Sequence, residues 1–317
     1  MIRLTLRQFR TQAVVAFGAL VVLAIALAVT APHLRHLYNT SGIATCRADG
    51  DCGTVTDAFL THYRLVQRLP SLLLLLPAVT GVFWGAPLVA KEFDAGTYRL
   101  AWTQSVTRTR WLGGKVAVVG LASVATSGLL SLLITWWFSP IDKATQSRFG
   151  GEAFFERNVT PLGYAAFAFA LGVTAGLLIR RTLPAMATTL VGTIAAELAV
   201  SSWLRPKFRA PLHFIGPLKP ALGATTKAPP TDPTTSPSDW IVSQHFLDPT
   251  GHPTNTLRIR ADDACLATKS CLSGYQQVVT YQPASRYWAF QWEETAIFVA
   301  AAVLLVGFCF WWVRRRA

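Results

Sequence analysis

Residues 70–111 read PSLLLLLPAVTGVFWGAPLVAKEFDAGTYRLAWTQSVTRTRW, and this stretch indicates the class of fold. Its first half, Pro70–Ala90, carries no charge and is long enough to cross about 30 Å of hydrocarbon as a helix. Its second half, Lys91–Trp111, is polar and aromatic, and another long apolar run follows it. The chain is therefore expected to leave a membrane, form a compact polar segment, and enter the membrane again.

The composition of the whole chain agrees with this interpretation. Of its 317 residues, 52% are hydrophobic and 14% are charged, whereas soluble domains average about 25% charged residues. The sequence predicts an all-α integral membrane protein that forms a single domain, 1–317, with six transmembrane helices. These predicted spans are Ala13–Ala31, Pro70–Ala90, Val116–Phe138, Leu162–Ile179, Leu183–Leu204 and Thr295–Val313.

Lysine and arginine set the orientation of the spans, because they favour the cytoplasmic side of a membrane. They are denser in segments 1–12, 91–115, 180–182 and 314–317 than in the other loops. We therefore expect a plasma-membrane protein with both termini in the cytoplasm. This asymmetry accounts for most of the net charge of +13, so the charge does not indicate nucleic acid as a partner.

The N-terminal segment, 1–12, is short, basic and amphipathic. It is predicted to lie as an interfacial helix against membrane lipids, and the alternative is a plain positive flank of the first span. That span is longer than the apolar part of a signal peptide, and Pro32 follows its small-residue cleavage site, so we expect a retained anchor. The basic residues on one face of this helix are Arg3, Arg7 and Arg10.

The loops between the spans differ greatly in length. Only Arg180–Thr182 joins the fourth and fifth spans, which predicts a tight helical hairpin. The outer loop 205–291 is large, and its middle is rich in Pro, Thr and Ser. Near its end, YQQVVTYQP alternates weakly between polar and apolar residues and predicts a short strand.

Four cysteines fall in the two large outer loops, where disulfides are chemically permitted. Cys46 and Cys52 lie in the first loop, Cys265 and Cys271 in the last, and both pairs have C-x5-C spacing. Four cysteines allow three connectivities, of which the two local pairs are favoured. Cys309 lies within the last span and is expected to be an inert packing residue.

The sequence predicts no catalytic or metal site and no nucleotide site. The string RTRWLGGKVA resembles a phosphate loop, but Thr109 replaces its first glycine and Val116 replaces its magnesium-binding Ser or Thr. All six histidines fall in predicted outer loops, and the predicted spans contain no His and no Asp to serve as a catalytic base. An enzyme with its own active site is therefore not expected.

Glu197 is the exception within the predicted spans. A carboxylate in a membrane is costly and usually faces a cavity or a partner. Glu197 is therefore a candidate for a substrate path, together with Thr193 and Ser201 on the same helix. The alternative is a protonated or hydrogen-bonded Glu197 with packing roles for the two hydroxyl residues.

The segment 91–115 is too long for a plain connection, since three residues suffice elsewhere. Gly96 is expected to divide it into two short helices, with Glu92 and Asp94 near the positive end of a helix dipole. Exposed acids and aromatic residues, including Trp111, favour a docking surface. The alternative is an ordinary amphipathic connector.

Two stretches of the chain resemble the ABC-2 type permeases, the transmembrane subunits of ATP-binding cassette exporters, and their actinobacterial members in particular. They are FWGAPLVAKEFDAGTYRLAWTQSVTRTRWLGGK (83–115) and YQPASRYWAFQWEETAIFVAAAVLLVGFCFWWVRR (281–315). The six-span layout, the basic N-terminal segment and the large loop before the last span are also similar to that family. Glu197 matches no motif of the family.

The resemblance implies a permease that moves a hydrophobic or amphipathic substrate and binds no nucleotide itself. A separate ABC ATPase subunit would bind ATP and Mg, and a second permease copy or a homologue would complete a dimer. The alternative function is a membrane receptor or scaffold with ligand-binding outer loops. The resemblance also implies that an ATPase-coupling elbow forms from Lys91, Glu92, Phe93, Asp94, Gly96, Thr97, Arg99, Trp102, Ser105, Thr107, Arg108 and Arg110.

Overall fold

The computed structural model describes residues 2–43, 59, 61, 75–96, 107–145, 149, 154, 157–217, 238–254 and 274–315. The chain forms two compact units. The helical unit comprises Met1–Ala144, Gly151–Arg205 and Ala289–Ala317. The sheet unit comprises Thr145–Gly150 and Pro206–Trp288.

Long helices account for the helical unit. Five helices within the described ranges are long and apolar enough to cross a membrane: Phe9–Thr40, Arg108–Ala144, Thr160–Ile179, Thr182–Lys207 and Ala284–Arg315. The helices are α1 (Ile2–Thr40), α2 (Leu76–Thr80), α3 (Ala86–Asp94), α4 (Arg108–Thr145), α5 (Thr160–Ile179), α6 (Thr182–Ala199) and α7 (Tyr287–Arg315). Two π-helical turns extend them, Gly81–Gly85 between α2 and α3 and Val200–Leu204 after α6.

Five of the predicted spans thus lie on long helices. The remaining one, Pro70–Ala90, coincides with the helical run of α2, the π-helical turn and α3 as far as that stretch is described. The number of six transmembrane spans therefore stays a prediction. The two-residue link Arg180–Arg181 between α5 and α6 confirms the predicted tight hairpin.

The long helices expose large apolar side chains. Val29 on α1, Leu121 on α4, Leu183 on α6 and Leu304 on α7 are each more than 70% exposed. Helices that are apolar on their outer faces need a non-aqueous environment to cover them. The helical unit therefore has the surface of a multi-pass membrane protein.

The N-terminal segment does not form a separate interfacial helix. Helix α1 runs without a break for 39 residues from Ile2 to Thr40, with Pro32 inside it. The junction predicted after residue 12 contains Gln12 and Ala13, which favour helix, so nothing in the local sequence ends a helix there. Arg10 is exposed near the start of α1, and only the backbone is described at Arg3 and Arg7.

Helix α5 packs against α2, the π-helical turn and α3 at backbone distance. A Cβ atom added to Gly172 would lie 2.5 Å from the Gly81 carbonyl oxygen, and one added to Gly176 would lie 2.5 Å from the Ala86 carbonyl oxygen. Only glycine permits so close an approach of two helices. Both helices carry the small-residue spacing that this requires, with Gly81 and Gly85 on one side and Gly172 and Gly176 on the other.

The all-α prediction is wrong in the large outer loop. A four-stranded antiparallel sheet forms there, in the order β1-β4-β2-β3. Its central β4 confirms the strand predicted in YQQVVTYQP. The strands are β1 (Leu212–Pro217), β2 (Trp240–Leu247), β3 (Pro253–Thr254) and β4 (Gln276–Gln282).

Aromatic residues form part of the core of the sheet unit. Phe149 is buried, its ring stacks on Trp240 at 5.8 Å between ring centres, and Tyr287 contacts it edge-on at 5.5 Å. Phe149 follows the end of α4, whereas Trp240 begins β2. The contact therefore joins segments that are distant in sequence, which is why local patterning did not indicate it.

The four loop cysteines, Cys46, Cys52, Cys265 and Cys271, lie outside the described residues, so their pairing stays a prediction. Cys309 agrees with its predicted packing role. It is buried in α7, and its Sγ atom lies 3.2 Å from the Thr174 hydroxyl of α5.

Candidate functional site

The predicted elbow begins at the end of α3 and returns at the start of α4. Lys91, Glu92, Phe93 and Asp94 form the last turn of α3, and Gly96 follows with a positive φ of 68°. The two acids therefore end a helix, and the prediction that they lie near a positive helix end is wrong. Thr107, Arg108 and Arg110 lie at the start of α4. Thr97, Arg99, Trp102 and Ser105 fall outside the described residues.

Glu92 connects α3 to α4 through an ion pair with Lys115. The side chains of Lys115 and Glu92 are only 5% and 17% exposed. Lys115 Nζ also donates to the Leu88 carbonyl oxygen at 3.4 Å and lies 4.8 Å from the centre of the Trp111 ring. Glu92 is therefore turned into the helical unit, toward α4.

Asp94 and Phe93 connect α3 to the short link between α5 and α6. The Asp94 carboxylate accepts hydrogen bonds from the Thr182 backbone N–H at 2.9 Å and from the Thr182 hydroxyl at 2.8 Å. Both bonds lower the pKa of Asp94 below its ordinary value, and the bond from the backbone N–H has the larger effect. The Arg180 guanidinium lies 5.2 Å from the centre of the Phe93 ring.

The rest of the described elbow surface is basic. Lys91, Arg108 and Arg110 are exposed, as is Thr107, whose hydroxyl accepts the Arg110 backbone N–H at 3.4 Å. Trp111 is only 3% exposed and packs in the core of the helical unit. The interpretation of Trp111 as an exposed interface residue is therefore wrong.

A cavity of about 160 Å³ lies beside the elbow, between α1, the second predicted span and α4. Its walls combine aromatic side chains from Phe9 and Trp84 with the charged groups of Lys91, Glu92 and Lys115. Phe9 and Trp84 meet edge-on at 4.9 Å between ring centres. The cavity thus connects the N-terminal part of α1 to the residues that anchor the elbow.

A second polar cluster is buried among α5, α6 and α7. Arg205 Nε and Nη2 bind the two carboxylate oxygens of Glu294 at 2.7 and 2.8 Å. The Tyr164 hydroxyl donates to the same carboxylate, and the Phe154 ring lies 4.1 Å from the guanidinium carbon. Arg205 is 4% exposed and Glu294 is fully buried.

Glu197 lies next to this cluster and is only 5% exposed. Its carboxylate interacts electrostatically with Glu294 of α7 and with Tyr164 of α5. Its Oε1 atom is buried and has no hydrogen-bond partner among the described residues. Glu197 therefore adds a second carboxylate beside one that is already neutralised.

Thr193 shares the buried face of α6 with Glu197, whereas Ser201 does not. Thr193 is fully buried, and its hydroxyl donates to the Thr189 carbonyl oxygen of its own helix at 2.8 Å. Ser201 lies in the π-helical turn Val200–Leu204 and donates to the Leu198 carbonyl oxygen at 3.1 Å. The wider π turn changes the helical register there, so the four-residue spacing no longer keeps Ser201 on one face with Glu197.

Gln291 fixes α7 against the beginning of α5. Its side-chain oxygen accepts the Thr160 backbone N–H at 3.1 Å and the Val159 backbone N–H at 3.3 Å, and its amide donates to the Phe154 carbonyl oxygen at 2.9 Å. These bonds satisfy backbone groups that the end of a helix leaves unpaired. They hold Glu294, one turn further along α7, beside Tyr164.

Sequence reasoning identified Glu197 but missed Tyr164, Arg205 and Glu294. The charged pair Glu293–Glu294 directly before an apolar run was an available signal, because a helix that continues into the run can bury one of the two. The glycine spacing in TGVFWG and LGVTAG was also an available signal for close helix packing.

Comparisons with known proteins agree with the membrane architecture. A family described as ABC-2 membrane transporter related matches residues 17–205, well over half of the chain. This range includes the elbow, Glu197 and Arg205, and it ends before the four strands and α7. No match was found among curated proteins or solved structures.

Proposed function

The chain belongs to the ABC-2 membrane transporter related family, and from this premise we propose that it is the permease subunit of an ATP-driven exporter. It works with a separate ABC ATPase, which binds ATP and Mg²⁺, and with a second copy of itself or a homologue. It moves a hydrophobic or amphipathic substrate out across the plasma membrane, with its own termini in the cytoplasm. The elbow from Lys91 to Lys115 couples the ATPase to the helices.

The observation that carries this proposal is the way the two ends of the elbow are attached. Glu92 binds Lys115 of α4, and Asp94 binds Thr182 at the start of α6. Phe93 lies under Arg180 in the same link. A force on the elbow would therefore reach α4 and α6 through specific polar contacts, as a coupling element requires.

The coupling needs two conformations of the helices that differ in their fit to the ATPase. A partner shifts such an equilibrium only by as much as it binds the two states differently. The close backbone packing of α5 on α3 favours movement of this group as one body, because glycine contacts leave no side-chain layer to deform. The exposed basic residues Lys91, Arg108 and Arg110 are the groups that would meet an acidic surface of the ATPase.

The test is co-purification of the solubilised permease with an ABC ATPase from the cells that produce it. We expect the triple variant Lys91→Glu, Arg108→Glu and Arg110→Glu to reduce co-purification by about tenfold or more, because like charges at an interface repel. The matched control is Lys143→Glu, an exposed lysine in the last turn of α4. It should leave co-purification unchanged.

The internal ion pair is tested separately by an exchange of charges. Glu92→Lys alone leaves two cations together and should weaken coupling, whereas Glu92→Lys combined with Lys115→Glu restores the pair and should recover it. Unchanged co-purification and ATP-dependent export in the triple variant would contradict the coupling role of the elbow. A permease that never co-purifies with an ATPase would favour the receptor or scaffold alternative.

A further inference from the structure

The buried cluster around Glu294 is complete as a hydrogen-bonded charge pair. The Arg205 guanidinium occupies both oxygens of Glu294 with bonds of 2.7 and 2.8 Å, and the Tyr164 hydroxyl adds a third donor. The face of the guanidinium lies on the Phe154 ring. One positive and one negative charge therefore neutralise each other within this group, and the bidentate geometry is the strong form of such a pair.

Glu197 has no such compensation. Its side chain is only 5% exposed, and Oε1 has no hydrogen-bond donor among the described residues. Within the cluster, Glu294 and Tyr164 interact electrostatically with Glu197. Helix α3 also packs against α6, and its charged residues Lys91, Glu92 and Asp94 lie in its last turn. An ionised carboxylate is strongly unfavourable where one of its oxygens is buried without a donor, so a proton or a cation must neutralise Glu197.

The surroundings of the cluster limit what that cation can be. Glu197 is only 5% exposed and its Oε1 atom is buried without a partner in the described part of the chain, so the cation must present a small head that donates a hydrogen bond. A primary ammonium group is small and donates the hydrogen bond that Oε1 lacks. Leu198 on α6 is 60% exposed and Trp203 in the π-helical turn after it is 73% exposed, which suits an alkyl chain beside the membrane.

From this geometry we infer that Glu197, held beside the Arg205–Glu294–Tyr164 cluster, binds the primary ammonium group of an amphipathic amine. The inference rests on the proposed function and assigns a substrate class to it. The cluster acts as a positioning group. Its carboxylate already accepts hydrogen bonds from Arg205 and Tyr164, so the ammonium does not bind there. The same bonds fix α5, α6 and α7 around Glu197. The amine and a proton then compete for the same carboxylate.

The test uses the full-length permease in nanodiscs of zwitterionic lipid, with hexylammonium as the probe and calorimetry as the readout. Wild type should bind hexylammonium, and hexanol and hexanoate, which have the same chain without the positive charge, should not compete. Binding should weaken at acidic pH, because protonated Glu197 no longer attracts a cation. The heat should also depend on the ionisation enthalpy of the buffer, because binding the cation displaces a proton.

The deciding variant is Glu197→Gln, which keeps the shape of the side chain and removes its charge. We expect it to bind hexylammonium about tenfold or more weakly and without pH dependence, since a buried charge partner has been removed. Glu197→Asp should retain measurable binding. Glu293→Gln is the matched control, because Glu293 adjoins Glu294 on α7 but points about 100° away around the helix. Its affinity should equal that of wild type.

Equal affinity in wild type and Glu197→Gln would overturn the inference, and so would binding that does not weaken at acidic pH. If Glu197→Gln fails to insert, the pH dependence and the proton release of wild type decide the question alone. Absence of hexylammonium binding would make Glu197 a neutral packing residue. None of these outcomes depends on the ATPase, so co-purification with it would still stand or fail independently.

Discussion

At the scale of single residues, Asp94 shows how one carboxylate joins two distant parts of the helical unit. It ends α3, and it accepts two hydrogen bonds from Thr182, which begins α6. Both bonds favour the ionised carboxyl, so its pKa in the folded protein lies below the ordinary value near 3.9. The contact therefore stabilises the fold above the ordinary pKa and is lost as the pH falls through the lowered pKa.

We expect Asp94→Ala to lower the melting temperature of the detergent-solubilised protein at neutral pH, because the first N–H and the hydroxyl of α6 lose their acceptor. The difference from wild type should begin to shrink as the pH falls below about 4, the ordinary carboxyl pKa, and should vanish once the pH is below the lowered pKa of folded Asp94. Thermal unfolding followed by tryptophan fluorescence measures both. Thr182→Ser keeps both donors and should behave like wild type. A constant difference across the pH range would show that the ionised form of Asp94 is not what matters.

At the scale of elements, α5 is the centre of the helical unit. It packs against α2, α3 and α6, and most of its side chains are buried. Small residues permit this, since a Cβ atom at Gly81 would lie 2.5 Å from the Ala168 carbonyl oxygen and one at Gly85 2.6 Å from that of Phe169. A membrane offers no hydrophobic drive between helices, so dense packing of this kind is a principal source of their association.

Gly172→Ala is expected to destabilise the protein. The new Cβ would lie 2.5 Å from the Gly81 carbonyl oxygen and 2.7 Å from the Ala86 nitrogen, and neither backbone atom can move alone. Overpacking of this kind costs about 1–3 kcal/mol, which exceeds the gain of about 1 kcal/mol from the higher helix propensity of alanine. Thermal or denaturant unfolding in detergent measures the change.

Gly307→Ala is the matched control for this helix substitution. Gly307 lies within α7, and a Cβ added there meets no atom within 4 Å. Its stability should stay the same or rise slightly, because only the helix propensity changes. If both alanine variants behave alike, close packing of α5 does not limit the stability of the helical unit.

At the scale of the whole molecule, the chain combines a multi-pass helical unit with a small antiparallel sheet unit. The helical unit contains the elbow contacts and the buried cluster. The four strands lie in the long loop before α7, which the distribution of basic residues assigns to the outside. The predicted topology therefore assigns segment 91–115 to the inside and the loop 205–291 to the outside.

Labelling of single introduced cysteines in intact cells tests this topology. Thr107→Cys at the start of α4 and Thr250→Cys in the turn after β2 both occupy exposed positions. An impermeant maleimide should label the second from outside and should label the first only after the membrane is opened. Labelling of both from outside would refute an inner elbow, and the parent protein without added cysteines gives the background.

The sequence by itself determined the membrane class, the approximate ranges of the long helices and the tight hairpin at Arg180–Thr182. These follow from the length and apolar character of contiguous runs, which are local properties of the chain. It also singled out Glu197 and the elbow acids, because charge beside or within an apolar run is visible without a fold. The strand β4 was predicted for the same reason, because the alternation of polar and apolar residues is a local pattern.

Only the tertiary structure decided which residues meet. The sheet pairs β1 with β4, which are about 60 residues apart, so local composition did not indicate the pairing. Glu92 and Asp94 find their partners at Lys115 and Thr182, and Arg205 finds Glu294, across separations of tens of residues. Whether a charge is exposed or buried depends on these distant contacts, because desolvation is set by every element packed around the group and not by its neighbours in sequence.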